Sequence, residues 1–301
     1  MKKVSIIVPT YKRANMLTRA IDSVLNQTYD NVEVLVVDDN NPDTEWRQCT
    51  TSIMEQYREN PKVRYICHPQ NMNGSVARNT GIQEATGELI SYLDDDDYYA
   101  MDKIERQVKY LEEHPHYRAV YCGWNRDNHD FVPEGEGDLS YDILSGTNII
   151  ITNSIMMWRS DCMKCGGWDP NLMRHQEAAY LLNYFRNGGL MGRIEDVLVY
   201  FDTSDRNNVS NPQKTEEQLL YLLESYKDVI DRCERNHPGA AKKIYASRTL
   251  GIILPYMKNH NYWQALLRLF KGFLQYPNEM RWIIRKYLSY RLSSKYTKQS
   301  R

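Results

Sequence analysis

Cysteine is scarce in this chain. The six among 301 residues (Cys49, Cys67, Cys122, Cys162, Cys165 and Cys233) do not build a disulfide framework. Cys162-Met-Lys-Cys165 has the spacing of a metal-ligand pair, but no second cysteine pair or histidine cluster accompanies it, so a zinc site is not expected. No apolar stretch approaches the roughly 18 residues of a membrane span. The first apolar run, Val4 to Val8, stops at Pro9; it is too short for a signal-peptide core and reads as a first strand. These absences point to a reducing, cytoplasmic setting. Glycine-rich phosphate loops are missing too. With no Gly-x-Gly-x-x-Gly and no Gly-x-x-x-x-Gly-Lys-Ser/Thr, a dinucleotide fold or a P-loop enzyme, each of which cradles phosphates on backbone amides, is excluded. There is no internal repeat and no low-complexity segment. Net charge is nearly absent as well: 38 basic against 39 acidic residues leave −1, which is not the profile of a nucleic-acid binder.

The charge that is present is unevenly placed. From Ala241 to Arg301 there are 13 Lys and Arg and one acidic residue, Glu279, so this segment carries +12 and the remainder −13. Such asymmetry points to a basic face with an anionic partner. Upstream, short apolar runs alternate with helical spacings. Val4 to Val8, Val32 to Val37, Val63 to Cys67, Leu89 to Leu93 and Ala119 to Trp124 read as strands, with helices between them, so the first 125 residues are expected to form a mostly parallel α/β sheet. Asp127 to Ser140 reads as a hairpin or excursion, Ile149 to Trp158 as a strand, Gln176 to Asn187 as a helix and Val197 to Phe201 as a late strand. From Thr215 onward helix follows helix, with breaks at Gly239, Asn259 to Asn261 and Pro277.

The fourth run, Leu89-Ile-Ser-Tyr-Leu93, ends in Asp94-Asp95-Asp96-Asp97. Four adjacent carboxylates at the end of a buried strand stay ionised only if something positive neutralises them. Hard oxygen ligands suit Mg²⁺ or Mn²⁺, and loops at the carboxyl ends of parallel strands are where ligands bind. The same edge carries Asp38-Asp39 after the second run and Pro9-Thr10-Tyr11 after the first, where Tyr11 can stack on a base. Together these suit a nucleotide plus a metal.

At this point a resemblance becomes specific. Val4-Ser-Ile-Ile-Val-Pro-Thr-Tyr-Lys-Arg, Val32-Glu-Val-Leu-Val-Val-Asp-Asp-Asn, Ala77-Arg-Asn-Thr-Gly-Ile82, Ala85-Thr-Gly-Glu-Leu-Ile and Leu93-Asp-Asp-Asp-Asp are similar to the family 2 inverting glycosyltransferases of bacterial surface-polysaccharide type. The likeness is close over about 110 residues and continues through Gly166-Gly-Trp-Asp169 to about Arg206.

The resemblance implies a GT-A fold: a mostly parallel sheet flanked by helices over residues 1–212, with a C-terminal helical, basic amphipathic appendage over 213–301. It implies a metal-dependent, hexosyltransferase-type enzyme that moves a sugar, with inversion, from a UDP-sugar to a hydroxyl of a glycan or polyprenyl-diphosphate-linked acceptor. Donor-binding residues would be Pro9, Thr10, Tyr11, Asp39, Arg78, Asp94 and Asp95, with Asp38 second to Asp39 for the base. Asp96 would ligate Mn²⁺ or Mg²⁺, although the fourfold aspartate leaves the register open. Glu177 would be the base on the acceptor hydroxyl, with Gln176 standing where the family usually has an acid and Asp169 the runner-up. Trp168 and Asp169 would face the acceptor, Trp168 either stacking on a sugar or packing; His175 reads as a surface residue and Arg206 as a loop residue that could close over diphosphate.

Beyond the likeness, Tyr262, Trp263, Leu266, Leu267, Phe270 and Phe273 fit one apolar helical face, and Trp282, Ile283, Ile284, Tyr287 and Leu288 another, with Arg281, Arg285, Lys286 and Arg291 around the second. Basic amphipathic helices of this kind suit an anionic membrane surface, here the inner face of the plasma membrane; the alternative is that they pack their apolar faces on the catalytic domain and leave a solvated basic outer face. Two other readings compete. A sugar-phosphate nucleotidyltransferase shares the sheet type but needs a glycine-rich loop where this chain has Pro9-Thr-Tyr-Lys12. A nucleotide-sugar-binding or membrane-anchoring scaffold would lack catalysis altogether.

Overall fold

The structure is a computed structural model that describes residues 1–203 and 211–299, with side chains to residue 288; Arg206 and the Arg291 side chain lie outside the described residues. Strands β1 (Val4–Thr10) and β2 (Val32–Asp38) are buried almost throughout, which is why they read as mostly apolar runs rather than alternating ones, with Ser5 and Glu33 the buried polar exceptions. Helix α1 (Ala14–Leu25) joins them, burying Leu17, Ala20, Ile21 and Val24 along one stripe. Helix α2 (Glu45–Met54), capped by the Thr44 hydroxyl on the Arg47 amide, leads to β3 (Val63–Cys67). Helix α3 (Gly74–Glu84) is capped by Asn73, whose side-chain oxygen accepts from the amides of Ser75 and Val76. It lies close against β1: a Cβ at Gly81 would come within 2.4 Å of Ile7, so only glycine fits there. After it come β4 (Leu89–Tyr92), β5 (Tyr98–Tyr99), α4 (Lys103–Glu113), and a hairpin of β6 (Ala119–Arg126) and β7 (His129–Phe131).

The later elements are α5 (Ser140–Ser145), β8 (Met156–Trp158), α6 (Arg159–Lys164), α7 (Gln176–Arg186) and β9 (Met191–Phe201), then α8 (Pro212–Ser225), α9 (Lys227–Asn236), α10 (Ala240–Lys258), α11 (Tyr262–Gln275) and α12 (Pro277–Gln299). The sheet runs β3-β2-β1-β4-β8-β6-β9-β5, with β7 on the side of β6. Its first four strands are parallel, as expected. The fifth run, Ala119 to Trp124, forms the strand expected there, but β6 does not lie beside β4. The three-residue strand β8 is inserted between them, antiparallel to both, with Met157 opposite Ile90 on one side and Ala119 on the other. The strand expected over Ile149–Trp158 is therefore only its last three residues. Before them Thr152–Ser154 is a tight 3-10 turn, held by Ser154 N–H to Ile151 O and Ile155 N–H to Thr152 O instead of a ladder.

The chain forms two compact units, Met1–Leu139 with Ile149–Asn207, and Ser140–Asn148 with Asn208–Arg301. Helix α5 thus belongs with the C-terminal helices: Ser247 Oγ donates to Ser145 O at 2.5 Å, and the Arg248 guanidinium donates to the carbonyls of Ile143 and Leu144, the latter at 2.6 Å. Within the same unit Glu216 accepts from Tyr256 at 2.7 Å and pairs with Arg268 at 2.5 Å, tying α8, α10 and α11 together. Among the described residues no helix is long and apolar enough to cross a membrane.

Candidate active site

Neighbouring parallel strands end side by side, so the loops after β1, β2 and β4 share one edge of the sheet. Pairing of β1 with β4 stops at Ile7 and Tyr92, with Leu93 N–H donating to Ile7 O. Half-buried Pro9, which has no amide hydrogen, follows where that ladder has ended. The loops are then stitched across. Asp39 N–H donates to Thr10 O at 2.9 Å, and Lys12 N–H to the Asn40 side chain at 3.0 Å, with Lys12 at a φ of 62°. Tyr11 remains 41% exposed, with the Lys12 ammonium over its ring, 4.9 Å from the centroid.

Asp39 and Asp38 are both buried, and each carboxylate meets four donors. Asp38 is fully buried and wholly engaged: one oxygen accepts from Asn40, the other from Tyr65 at 2.5 Å, and Arg47 pairs with it at 3.0 Å. It holds the fold. Asp39 is also buried, and its carboxylate gathers the loop that precedes α3. His68 Nδ1 and Met72 N–H meet one oxygen, each at 2.8 Å, while the Asn71 side-chain amide and Asn73 N–H meet the other, at 2.8 and 2.9 Å. His68 Nε2 in turn lies 2.9 Å from Thr80 Oγ1 on α3. A base N–H reaching Asp39 would have to share an oxygen with one of these four donors or displace it.

The four aspartates of the turn after β4 point in different directions. Asp95 turns back to β1, accepting from Thr10 Oγ1 at 2.8 Å and from Tyr11 N–H at 3.4 Å. Its burial pushes its pKa up to about 7, against the opposing hydrogen bond from Thr10 and with further upward push from Asp96 and Asp94. Asp94, Asp96 and Asp97 converge, each offering a carboxylate oxygen within 4.8 Å of the others. Asp97, which sequence reasoning did not single out, accepts from the Asn153 side chain at 2.6 Å and from Asp202 N–H at 3.0 Å; Asn153 also accepts from Asp94 N–H at 3.0 Å. Arg13, at the start of α1, pairs with Asp96 at 2.5 Å and stands 3.8 Å from Asp95. Arg19 donates to Asp96 O at 2.6 Å and pairs with Asp202 at 2.8 Å. A set of convergent carboxylate oxygens held by fixed donors fits a hard divalent cation, which would have to share Asp96 with the Arg13 guanidinium. Asp96 with Asp94 and Asp97 would hold it, and Asp95 faces the first strand instead.

Across this turn Arg78, buried on α3, donates to Asp94 at 2.7 Å and to the Gln176 side chain at 3.0 Å. Gln176 and Glu177 open α7, immediately after His175, a non-glycine residue held in the left-handed region at φ 60°. Glu177 is half-buried; burial raises its pKa, opposed by its own amide and by Arg78. Asp169 is half-buried in the preceding turn and accepts from Asn171 N–H at 2.8 Å. The same turn is locked to α3 by a reciprocal pair of hydrogen bonds, both at 2.8 Å: Asn79 Nδ2 to Trp168 O, and Trp168 N–H to Asn79 Oδ1. Gly167 sits at φ 72°, and a Cβ there would lie 2.4 Å from Asn79.

Trp168 requires a correction. It was expected to stack on an acceptor or to pack, and the structure shows packing. Only 1% of it is exposed; it stacks flat on Tyr180 at 4.3 Å, meets the edge of Tyr92, and lies under the Arg78 guanidinium at 4.8 Å. It is therefore a support for Arg78 and not an acceptor surface. Arg13, Arg19, His68 and Asn153 were missed. Arg13 had a signal, since it closes the run Thr10-Tyr11-Lys12-Arg13, but a basic residue at a helix start reads as solvated.

The glycosyl transferase family 2 model matches residues 5–159. An uncharacterized glycosyltransferase of Rickettsia felis is 40% identical over 111 residues, 37% of this chain; the chain spans only 17% of that relative's length. The putative teichuronic acid biosynthesis glycosyltransferase TuaG of Bacillus subtilis is 24% identical over 225 residues, covering 73% of this chain and 86% of TuaG. Among solved structures, S. aureus TarS 1-349 in complex with UDP-GlcNAc superposes with a TM-score of 0.65 at 18% identity, covering 93% of this chain and 83% of that one, a likeness of GT-A fold. With more than half of the chain matched and the motif residues gathered at one sheet edge, this protein belongs to glycosyl transferase family 2.

Proposed function

We propose that the protein is an inverting glycosyltransferase that moves a sugar from a nucleotide-sugar donor, a UDP-sugar, to a hydroxyl of a glycan or lipid-linked acceptor in surface-polysaccharide synthesis. The observation that carries this reading is the pair of hydrogen bonds that Arg78 donates, to Asp94 in the acidic turn at 2.7 Å and to Gln176 beside Glu177 at 3.0 Å. One buried cation thus links the place for a diphosphate to the place for an acceptor. TuaG, similar over most of its length, is described as acting in teichuronic acid synthesis, and TarS as binding UDP-GlcNAc; both fit a donor and acceptor of this class. A polyprenyl-diphosphate-linked acceptor fits the excess of basic residues in the C-terminal segment.

In this reading Tyr11 stacks on the base and Asp39, fixed by His68 and the Asn71–Asn73 loop, accepts from it. Thr10 holds Asp95 toward the ribose. Asp96, with Asp94 and Asp97, holds Mn²⁺ or Mg²⁺, which when bound stabilises negative charge on the leaving diphosphate. Arg78 orients Asp94 and adds positive charge beside the donor. Glu177 takes the acceptor proton as the acceptor oxygen bonds to the anomeric carbon and the carbon–phosphate-oxygen bond breaks on the opposite face. Its raised pKa brings it nearer the pH at which a carboxylate works well as a base. Asp169 stands nearby as an alternative acceptor contact.

The test is release of nucleoside diphosphate from a panel of UDP- and GDP-sugars with Mn²⁺, with and without added glycan acceptor. Release with a preferred UDP-sugar, lost in the Asp96→Ala protein, supports the reading. No release or binding with any nucleotide sugar rejects it.

A further inference from the structure

Helix α11 turns the usual arrangement outward. Its small residues are the buried ones: Ala265 and Gly272 are covered, and a Cβ at Gly272 would come within 2.9 Å of Thr249 on α10. Its large apolar residues are the exposed ones. Trp263, Leu266, Leu267, Phe270 and Leu274 are between 36% and 69% exposed. Their spacing of three and four residues puts them on one face. A helix in water buries such a stripe, so one left open marks an interaction surface.

Charge decides what that surface fits. Helix α11 contains no acidic residue, and its Arg268 is paired with Glu216, which leaves Lys271 exposed at the flank of the stripe. On α12, Arg281, Arg285 and Lys286 are exposed, and Lys286 lies 5.3 Å from the ring of half-exposed Trp282. A second copy of the chain would bring positive face against positive face. An anionic bilayer offers what both features need, an apolar layer for the stripe and negative headgroups for its rim.

We propose that the outward face of α11, together with the exposed basic residues of α11 and α12, docks the protein on an anionic lipid bilayer, the helix lying in the plane of the interface. The proposal goes beyond sugar transfer and stands apart from it: diphosphate release reports on the first unit, vesicle binding on the second.

The experiment is co-sedimentation of the full chain with vesicles of equal phosphatidylglycerol and phosphatidylcholine, and with phosphatidylcholine alone, across a NaCl series. Binding is expected to the mixed vesicles, to weaken as salt screens the rim, and to persist in part because the apolar contact is not screened. Trp263→Ser and Phe270→Ser should each weaken it by about tenfold, the worth of burying one large aromatic side chain. Both residues are exposed, so melting of the variants should match the parent. Lys271→Glu with Arg285→Glu should abolish the preference for phosphatidylglycerol. The proposal is overturned if the Ser variants bind as well as the parent, if both lipid compositions are bound equally, or if neither is bound; a parent dimer that the Ser variants lose, without lipid binding, would assign the face to a second copy instead.

Discussion

Arg13 at the start of α1 and Asp96 in the turn after β4 meet at 2.5 Å, so one buried carboxylate of the converging three already has a cation beside it. A divalent ion at Asp96 must share the carboxylate with that guanidinium or displace it. Replacing Arg13 by Gln removes the competitor and should raise affinity for Mn²⁺ alone by about tenfold or more, the scale of one opposite charge at contact. Asp96→Ala should lose metal-dependent UDP binding without unfolding. Calorimetric titration of Mn²⁺, and of UDP with and without Mn²⁺, checks both; unchanged Mn²⁺ affinity in Arg13→Gln would mean the guanidinium is no competitor.

Glu177→Gln keeps shape and hydrogen bonding but cannot take a proton. Turnover should fall by about 10²-fold or more while donor affinity stays near that of the parent. Because burial raises the Glu177 pKa, the acid limb of the parent's kcat/KM profile should lie above the ordinary glutamate range of about 4.3. Steady-state kinetics across pH tests this, and a variant keeping more than half of normal turnover moves the role to Asp169 or elsewhere.

Trp168 is a packing residue by its position between Tyr180, Tyr92 and Arg78. Trp168→Ala should cost about 3–5 kcal/mol of stability, and Trp168→Phe much less. Urea denaturation measures this. If Trp168→Phe instead leaves stability intact and raises the acceptor KM severalfold, the ring reaches the acceptor after all.

Glu33 tests the pH response of the sheet. It lies in β2, nearly buried, and its carboxylate receives Ser5 at 2.5 Å, the Thr86 amide at 2.7 Å and the Lys3 ammonium at 2.9 Å. Burial pushes its pKa up, but these donors override it and bring it down from 4.5 to about 2. A depressed carboxylate gives stability that is present above the unfolded value and lost as pH falls from there through about 2. The loss should be on the order of 3 kcal/mol and missing from Glu33→Gln, which is already weakened at neutral pH. Melting of both proteins between pH 7 and pH 2 measures it; parallel curves would refute the role given to Glu33.

What could be read in the sequence follows from how burial writes itself there. Strands β1, β2 and β4 are covered on both faces, so each is mostly apolar without alternation, and the acidic residues that stop β2 and β4 mark the crevice. The position of β8 could not be read, because three paired residues inside a longer apolar stretch carry no period of their own. Asn153 left no signal either: its role depends on a 3-10 turn that brings an ordinary polar residue beneath Asp94 and Asp97. Asp39 was visible as a carboxylate at a strand end, but its four partners come from residues 68 to 73, whose reach back to it is a matter of loop shape alone.

The pairing of β9 with both β6 and β5 has a consequence for the order in which the chain can mature. The segment matched by the family model ends at residue 159, yet one side of β6 finds its partner only when Met191–Phe201 is available, and Tyr98–Tyr99, directly after the acidic turn, finds its partner there too. Asp97 likewise waits for the amide of Asp202, 105 residues later. During synthesis the first four strands can collapse early, while the strand that follows the acidic turn keeps an unpaired edge until residue 202 has emerged. Such long-range closure is slow and leaves that edge open to wrong partners. Chains stopped between residues 159 and 191 should therefore be aggregation-prone on the ribosome, and competence to bind metal should arrive in a single late step.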